Sequence, residues 1–192
     1  MVVKIGVVRG GSLEEVKNKK FNIYVGISIG NKWFTKERMR ESLRWALSYT
    51  KERVGLLVGD SLHAINYEVR NEYSSERSME KALRKGDEVI AMLNELIVEF
   101  SEEERKKIDI IRWDDVKASK GNREFFDYLS KKYGEDNKFR DEILKIVSPY
   151  LSDIKFSYQQ KEKIGMYVID ELPELWQGFS FNGVYYGCYT YP

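Results

Sequence analysis

The sequence is poor in the residues that build disulfides and metal sites. It has one histidine, His63, one cysteine, Cys188, and three prolines among 192 residues. A lone cysteine forms no disulfide framework, so a reducing cytoplasm is the expected location. One histidine and one cysteine also make no cluster for a metal ion, and the sequence indicates no metal.

Long apolar runs are missing as well. No segment approaches the roughly 20 consecutive apolar residues that cross a bilayer. Residues 1–20 carry one short apolar run and then become strongly charged, without the order of segments found in a signal peptide. We therefore expect no membrane partner.

The composition that is present is that of a globular protein, with 42% hydrophobic and 33% charged residues. The length suits one domain with a full core, and we expect residues 1–192 to form that single domain, as a monomer. The net charge of +1 does not indicate a nucleic-acid-binding protein, although a balanced total permits one basic face.

Apolar segments alternate with amphipathic segments along the chain. Strands are predicted at residues 2–8, 21–27, 54–58 and 108–111. Helices are predicted to begin at residues 12 and 114 and to span residues 35–51, 62–73, 74–100, 138–150 and 157–175. The inner strands are apolar throughout, which is typical of a parallel sheet covered on both faces. The sequence therefore predicts an α/β fold: a Rossmann-like, open, mostly parallel sheet with helices on both faces.

Ser28 lies between two glycines, Gly26 and Gly30, at the end of a predicted strand. The glycines let the backbone turn tightly and let a ligand approach the hydroxyl. This Gly-x-Ser-x-Gly pattern is that of a nucleophile elbow, and the alternative is an ordinary turn whose serine bonds only backbone. Ligands of open parallel sheets bind at the carboxyl ends of the strands, where Ser28, Asp60 and Trp113 are expected to converge.

A catalytic triad of the elbow type is excluded. In that topology the histidine follows the acid in chain order, and no histidine follows His63. His63 is expected to pack locally at the start of a helix. A nucleophilic serine without a histidine base indicates a substrate that arrives already activated.

Tyr167 and Glu171 are four residues apart on a predicted helix. This spacing places a phenol and a carboxylate on one face, about 5–6 Å apart at Cβ. Such a pair, if buried, can hold an ammonium group, and the alternative is a solvated carboxylate beside a core tyrosine. Pro173 is expected to end the helix near Leu172.

Four cations lie on one stripe of the predicted helix 74–100: Arg77, Lys81, Arg84 and Lys85. Such a stripe can follow a phosphate backbone, and the alternative is a solvated face paired with nearby glutamates. A glycine-rich dinucleotide motif and a Walker loop are both absent from the sequence, so neither ATP nor another cofactor is indicated.

Taken in order, these segments resemble the tRNA-dependent cyclodipeptide synthases. The resemblance is carried by residues 26–31, 33–35, 44–47, 60–64 and 167–173 and by a tyrosine-rich C-terminal segment. It spans about residue 22 to the C-terminus, and the ordered combination is more specific than any one piece.

The resemblance implies a Rossmann domain like the catalytic core of class I aminoacyl-tRNA synthetases, stripped of ATP-binding signatures. Such enzymes use two aminoacyl-tRNAs and release a cyclic dipeptide. It implies that Ser28 accepts the first aminoacyl group by a ping-pong mechanism and that Tyr167 and Glu171 hold the α-ammonium of that group. It also implies that the cation stripe binds tRNA. If the stripe does not bind tRNA, the alternative footprint on this chain is formed by Lys117, Lys120 and Arg123.

A C-terminal tyrosine would assist proton transfer during cyclisation. Tyr191 is preferred to Tyr189 because of its spacing from Glu171. Asn31, a further substrate-binding candidate together with Gly26, is typical of one branch of the family, whereas a Tyr-Pro pair near the C-terminus is typical of another. This chain has both features, which leaves its branch open.

The resemblance further implies a pocket for the first side chain, lined here by Tyr24 and Glu174. A carboxylate is costly to bury beside an apolar group, so Glu174 predicts a polar or basic first residue. The alternative is that Glu174 points to solvent after Pro173 and does not contact the substrate side chain. Two other functions stay open at this point: a non-catalytic aminoacyl-tRNA or RNA-binding module, and a serine hydrolase.

Overall fold

The structure is a computed structural model that describes residues 12–151 and 156–191. The strand predicted at residues 2–8 lies outside the described residues. The described helices are α1 (Leu13–Lys17), α2 (Lys36–Tyr49), α3 (Ala64–Asn71), α4 (Ser75–Ile97), α5 (Glu102–Arg105), α6 (Trp113–Ala118), α7 (Lys120–Glu135), α8 (Asn137–Val147) and α9 (Tyr158–Gln177). The described strands are β1 (Ile23–Ile27), β2 (Val54–Val58), β3 (Ile108–Arg112), β4 (Phe179–Phe181), β5 (Val184–Tyr186) and β6 (Cys188–Thr190). Short 3₁₀ helices at Ser61–His63 and Ser148–Leu151 precede α3 and follow α8.

Four strands form one sheet in the order β3-β2-β1-β6, and every neighbouring pair is parallel. Strands β1 and β2 are buried at every position, which explains why their sequences are apolar throughout. β4 and β5 form a separate antiparallel hairpin. The predicted Rossmann-like α/β fold is confirmed.

Helices cover both faces of the sheet. On one face, Val25 and Ile27 of β1 pack in a core cluster with Leu43 of α2 and Leu93 of α4. On the other face, Tyr24 packs in a second cluster that includes residues of α6, of α9 and of the β4–β5 hairpin. Alternate residues of one strand therefore belong to different cores, and the face that contains Tyr24 is the one that faces α9.

α9 continues through Pro173 to Gln177, so the prediction that this helix ends near Leu172 is wrong. Proline cannot donate to the carbonyl of Ile169 and costs about 3 kcal/mol or more inside a helix. Ile169, Pro173 and Glu174 are all buried, and α9 packs against α3, α7 and α8. This packing outweighs the local cost of the proline.

Other elements were not predicted. The sequence pattern predicted no helix at the residues of α7. Strands β4, β5 and β6 have three residues each, which is too short for a periodic pattern to be recognised. Within the described ranges, no helix is both long and apolar enough to cross a membrane.

Candidate active site

Ser28 lies at the carboxyl edge of the sheet, directly after β1. The chain turns at once, because the N–H of Asn31 donates to the carbonyl of Ser28 at 3.1 Å, and Thr35 then caps α2. The Ser28 side chain is half-buried. Alternation along the strand places it on the same face as Tyr24 and Gly26.

Gly26 makes room for Tyr189. β6 runs parallel to β1 with Tyr189 opposite Tyr24. A Cβ atom on residue 26 would lie 2.6 Å from a ring carbon of Tyr189 and 2.8 Å from its hydroxyl oxygen. The Tyr189 ring therefore lies against the backbone of β1, two residues before Ser28.

α9 brings Tyr167 and Glu171 to the same face of the sheet. Tyr167 packs against the cluster that contains Tyr24, with Tyr189 beside it. Burial raises the pKa of Glu171 to about 7, and the neighbouring charge of Asp170 adds to the shift. Burial, followed by the charge of Glu171, also raises the pKa of Tyr167 above its usual value. The phenol and the carboxylate are therefore close together and partly shielded from water.

Glu174 lies one turn further along α9 and is only 2% exposed. The alternative, that Glu174 points to solvent, is wrong, because α9 does not break at Pro173. The hydroxyl of Tyr24 donates to the backbone carbonyl of Glu174 at 3.2 Å, while Oε1 of the carboxyl group has no hydrogen-bond partner among the described residues. Burial raises the pKa of Glu174 to about 8; the nearby Tyr24 hydroxyl opposes this shift and the charge of Glu171 adds to it.

Two acidic groups thus share this tyrosine-lined region, and the described part of the chain supplies no counter-ion to either of them. Among the described residues, neither Glu171 nor Glu174 forms an ion pair. A cation supplied from outside the chain would stabilise the ionised form of either carboxylate.

Tyr191 forms the outer edge of this region and is 49% exposed. Nδ2 of Asn31 donates to its hydroxyl at 3.1 Å, and Oδ1 of Asn31 accepts from the backbone N–H of Trp33 at 2.9 Å. The Tyr191 ring stacks on Tyr189 at a centroid distance of 6.2 Å. Tyr189 is therefore the inner tyrosine of the site and Tyr191 the outer one, and Asn31 positions the outer one.

His63 supports the serine turn and packs locally. A Cβ atom on Gly30 would lie 2.6 Å from Cε1 of the His63 ring. Nδ1 of His63 lies 3.3 Å from the side-chain amide of Asn66, and its ring contacts that of Tyr67. Burial, with a smaller contribution from Arg70, lowers the pKa of His63 to about 4, so the ring is neutral at physiological pH.

Asp60 does not join the site, although Ser28, Asp60 and Trp113 all follow strands at the same edge. Its carboxylate accepts from the backbone N–H of Ser61 and from Arg112, both at 2.9 Å. It also contacts Gly86 of α4, which covers the opposite face of the sheet. The backbone N–H of Trp113 also contacts this carboxylate, so Asp60 and Trp113 do converge. The oxygens of Asp60 already have partners, which leaves them unavailable to a substrate at Ser28.

The cation stripe lies on the exposed surface of α4. The guanidinium of Arg77 lies 4.3 Å above the Tyr73 ring, and Nζ of Lys81 lies 5.0 Å from the same ring. Lys85 pairs with a neighbouring glutamate at 2.6 Å. No ion pair within the described part of the chain involves Arg77, Lys81 or Arg84. These three cations are available for an anionic partner.

A cavity of about 440 Å³ lies on another side of α9, enclosed by α6, α7 and α9. Its walls include Trp113, Asn122 and Asp170, and Lys117 and Arg123 also line it. Sequence reasoning missed Asn122 and Asp170, because neither belongs to a motif and Asp170 is simply the residue before Glu171. Neither this cavity nor any other part of the described chain has a group of three or more acidic, histidine or cysteine side chains arranged to hold a metal ion.

The fold defines a class of protein when it is compared with solved structures. A cyclodipeptide synthetase of Mycobacterium tuberculosis, described as related to type I tRNA synthetases, matches with a TM-score of 0.70 at 21% identity over 84% of this chain and 69% of its own. A cyclodipeptide synthase from Bacillus thermoamylovorans matches with a TM-score of 0.71 at 20% identity, over 86% and 73% of the two chains. A synthase from Candidatus Glomeribacter gigasporarum, solved bound to Phe-tRNAPhe, matches with a TM-score of 0.56 at 17% identity, over 80% and 71%. The protein thus has the Rossmann-like fold of these enzymes.

The cyclodipeptide synthase family model matches residues 11–192, which is nearly the whole chain. The chain therefore belongs to the cyclodipeptide synthase family, and it is an aminoacyltransferase. This membership sets aside the non-catalytic binding module and the serine hydrolase. A comparison with the sequences of curated proteins gives no significant match.

Proposed function

We propose that this enzyme joins the amino acids of two aminoacyl-tRNAs into a cyclic dipeptide by a ping-pong mechanism through an ester on Ser28. The observation that carries the proposal is the position of Ser28 at the end of β1, on the face that holds Tyr24, Tyr189 and Glu174. The single histidine, His63, lies against Gly30, but burial lowers its pKa to about 4, which makes it a weak general base. An aminoacyl ester is already activated, so a serine hydroxyl without a histidine base suffices for transfer.

In the first step, Oγ of Ser28 attacks the ester carbonyl of one aminoacyl-tRNA. The bond to the terminal ribose breaks, the tRNA hydroxyl takes the proton, and the aminoacyl group remains on Ser28. In the second step, the α-amine of a second aminoacyl-tRNA attacks this new ester, which forms a dipeptidyl-tRNA and frees Ser28. In the third step, the free α-amine of the dipeptide attacks the remaining tRNA ester, which closes the six-membered ring and releases the second tRNA.

The pair formed by Tyr167 and Glu171 holds the α-ammonium of the first amino acid. Their burial makes a charge-assisted hydrogen bond stronger than it would be in water. The arriving ammonium in turn favours the ionised form of Glu171, whose pKa is near 7 in its absence. This contact fixes the first amino acid while its carbonyl lies against Ser28.

Tyr191 assists the proton transfer of the cyclisation step. Its hydroxyl is at the accessible edge of the site and is oriented by Asn31 at 3.1 Å. Tyr189 lines the inner wall, where burial raises the pKa of its phenol above the usual value and keeps it protonated. The inner tyrosine thus shapes the pocket and the outer one exchanges the proton.

The first side chain lies next to Tyr24, Tyr189 and Glu174. Since Glu174 is buried and Oε1 lacks a partner within the described chain, a polar or basic side chain that donates to this oxygen is favoured. The tRNA lies across the cation stripe on α4, where Arg77, Lys81 and Arg84 are free to contact phosphates, with Lys85 beside them. The complex of the Glomeribacter enzyme with Phe-tRNAPhe supports aminoacyl-tRNA as the substrate class.

The test is incubation with charged tRNA followed by intact-mass analysis and product detection. Wild-type protein should gain the mass of one aminoacyl group and release a cyclic dipeptide. Ser28→Ala should do neither, whereas Ser48→Ala, which removes a surface hydroxyl on α2, should behave as wild type. Aminoacylation of the Ser28→Ala protein would exclude Ser28 as the nucleophile.

A further inference from the structure

His63 has one ring nitrogen that no described residue uses. Its Nδ1 lies 3.3 Å from the side-chain amide nitrogen of Asn66. An amide nitrogen can only donate, so Nδ1 accepts and the proton of the neutral ring is on Nε2. Burial lowers the pKa of His63 to about 4, which keeps the ring neutral. The Nε2–H group is therefore a hydrogen-bond donor that has no acceptor in the described part of the chain.

This donor lies next to the turn that follows Ser28. A Cβ atom on Gly30 would lie 2.8 Å from Nε2 of the His63 ring, and Gly30 is an exposed residue two positions after Ser28. In the sheet, β2 and β6 lie on either side of β1. His63 follows β2 and Tyr191 follows β6, so these two side chains flank Ser28 from opposite sides.

The charges around the His63 ring favour an anion. The ring contacts that of Tyr67 at a centroid distance of 5.1 Å, and Nζ of Lys81 lies 5.4 Å from the Tyr67 ring on its other contact. The positive charge of Arg70 also acts on the imidazole. Within the described ranges, neither Lys81 nor Arg70 forms an ion pair. His63 therefore connects the serine turn to the cation stripe on α4.

The direction of the substrate follows from its ester bond. When α9 holds the α-ammonium, the amino acid lies on the buried side of Ser28, and the ribose with its phosphate lies on the exposed side. Every tRNA ends in an adenosine whose ribose carries the amino acid. A tRNA on the cation stripe has to pass from Lys81 to Ser28 to deliver this end, and the contacts of Lys81 with Tyr67 and of Tyr67 with His63 mark that route.

We propose that Nε2–H of His63 donates a hydrogen bond to the phosphate of the terminal nucleotide of the aminoacyl-tRNA. The inference rests on the proposed use of aminoacyl-tRNA by Ser28. Contacts to phosphate position a nucleic acid without reading its sequence. His63 is thus a substrate-binding residue that needs no proton transfer, and Asn66 is a positioning residue that fixes the tautomer of the ring.

Nucleotide binding can be tested without catalysis, because His63 is the only histidine in the sequence. In protein labelled with ¹⁵N-histidine, both ring-nitrogen signals therefore come from one residue, and Nε2 should carry the proton. Adenosine 5′-monophosphate should shift the Nε2 signal, whereas adenosine at the same concentration, which lacks the phosphate, should leave it in place. No shift with the monophosphate, or an equal shift with both compounds, overturns the inference.

Acylation of Ser28 from two different esters gives the second test. His63→Phe keeps a ring of similar size and removes the donor, so it should raise KM for aminoacyl-tRNA about tenfold. The same variant should be acylated like wild type by the cyanomethyl ester of the same amino acid, which has no nucleotide. His63→Gln, whose side-chain N–H can replace Nε2–H, should restore most of the affinity for aminoacyl-tRNA.

Asn71→Ala is the matched control, because Asn71 is an exposed residue at the other end of α3. An equal loss with both esters would show that His63 only supports the serine turn, and an unchanged KM of His63→Phe for aminoacyl-tRNA would show that it makes no contact. Either result overturns the inference and leaves the ping-pong mechanism standing. A phosphate-dependent shift of Nε2 in a wild-type protein that is never acylated at Ser28 has the opposite meaning.

Discussion

The hydroxyl of Tyr24 donates to the backbone carbonyl of Glu174 at 3.2 Å, a contact between residues 150 positions apart. It joins the strand that ends at Ser28 to the helix that carries Glu171. Because Pro173 precedes Glu174 within α9, this contact holds the helix against the sheet just after its weakest point. The candidate nucleophile and the candidate ammonium-binding residues are thus held on one rigid frame.

We expect Glu174→Leu to change which amino acid is incorporated first. An apolar residue at this position removes the buried carboxyl group and favours apolar side chains. Product profiling of wild type and variant with a mixture of charged tRNAs measures the effect, and Glu174→Gln, which keeps a polar group of the same size, is the matched comparison. An identical product mixture from Glu174→Leu and wild type would show that Glu174 does not line the pocket.

The stability of the protein should depend on pH through Glu174. Its pKa is about 8 in the folded protein against 4.5 for the free side chain, so the folded state holds the proton more tightly. The contribution of Glu174 to the free energy of unfolding is therefore fully present below about pH 4.5 and is lost as the pH rises toward 8. The loss is about 3–5 kcal/mol at most. Glu174→Gln should not show this loss. In denaturant unfolding, the free energy of unfolding of Glu174→Gln relative to that of wild type should rise between pH 5 and pH 8.5. A difference that stays constant over this range contradicts the assignment.

Gly26→Ala should displace the Tyr189 ring, because the added Cβ would lie 2.6 Å from it. We expect a large loss of transfer activity from a single methyl group, since Tyr189 forms the inner wall of the site. Gly134→Ala is the control: it adds the same methyl group on α7, where nothing lies within 4 Å. Initial rates of both variants, with circular dichroism to verify folding, make the measurement. Full activity of Gly26→Ala would mean that the position of Tyr189 is not critical.

Tyr191→Phe should affect cyclisation and spare the first step. Without the phenol, proton transfer during ring closure slows, whereas acylation of Ser28 does not need it. Intact-mass analysis should show normal aminoacyl enzyme, together with a dipeptide that remains on tRNA. Asn31→Ala should show a weaker form of the same defect because it releases the Tyr191 hydroxyl. If Tyr189→Phe, and not Tyr191→Phe, blocks cyclisation, the two roles are exchanged.

Reversing the free cations of α4 should weaken tRNA binding. For Arg77→Glu, Lys81→Glu and Arg84→Glu, each lost phosphate contact should reduce the salt dependence of affinity by about one unit of slope. Lys138→Glu, an exposed reversal on α8, is the control for total charge. The measurement is the tRNA affinity over a range of salt concentrations. An unchanged slope would move the footprint to Lys117, Lys120 and Arg123.

Several features could be predicted from local sequence. Continuous apolar segments at β1 and β2 predict buried parallel strands, since only strands covered on both faces need no polar alternation. Ser28 between Gly26 and Gly30 predicts a serine at the end of a strand. The spacing of Tyr167 and Glu171 predicts a shared helical face, because 3.6 residues per turn is a property of the backbone alone.

Other features were decided by tertiary structure. The local sequence predicts that the helix ends before Pro173. Packing of α9 against three other helices nevertheless keeps Glu174 helical and buried. Tyr189 reaches the site only because the three-residue strand β6 pairs with β1 across more than 160 positions, and no local pattern encodes that pairing. Trp113, Asn122 and Asp170 line one cavity although they belong to three different helices. Periodicity and turn chemistry act over a few residues and can be read from the sequence, whereas which distant side chains meet depends on how the whole chain minimises its exposed apolar surface.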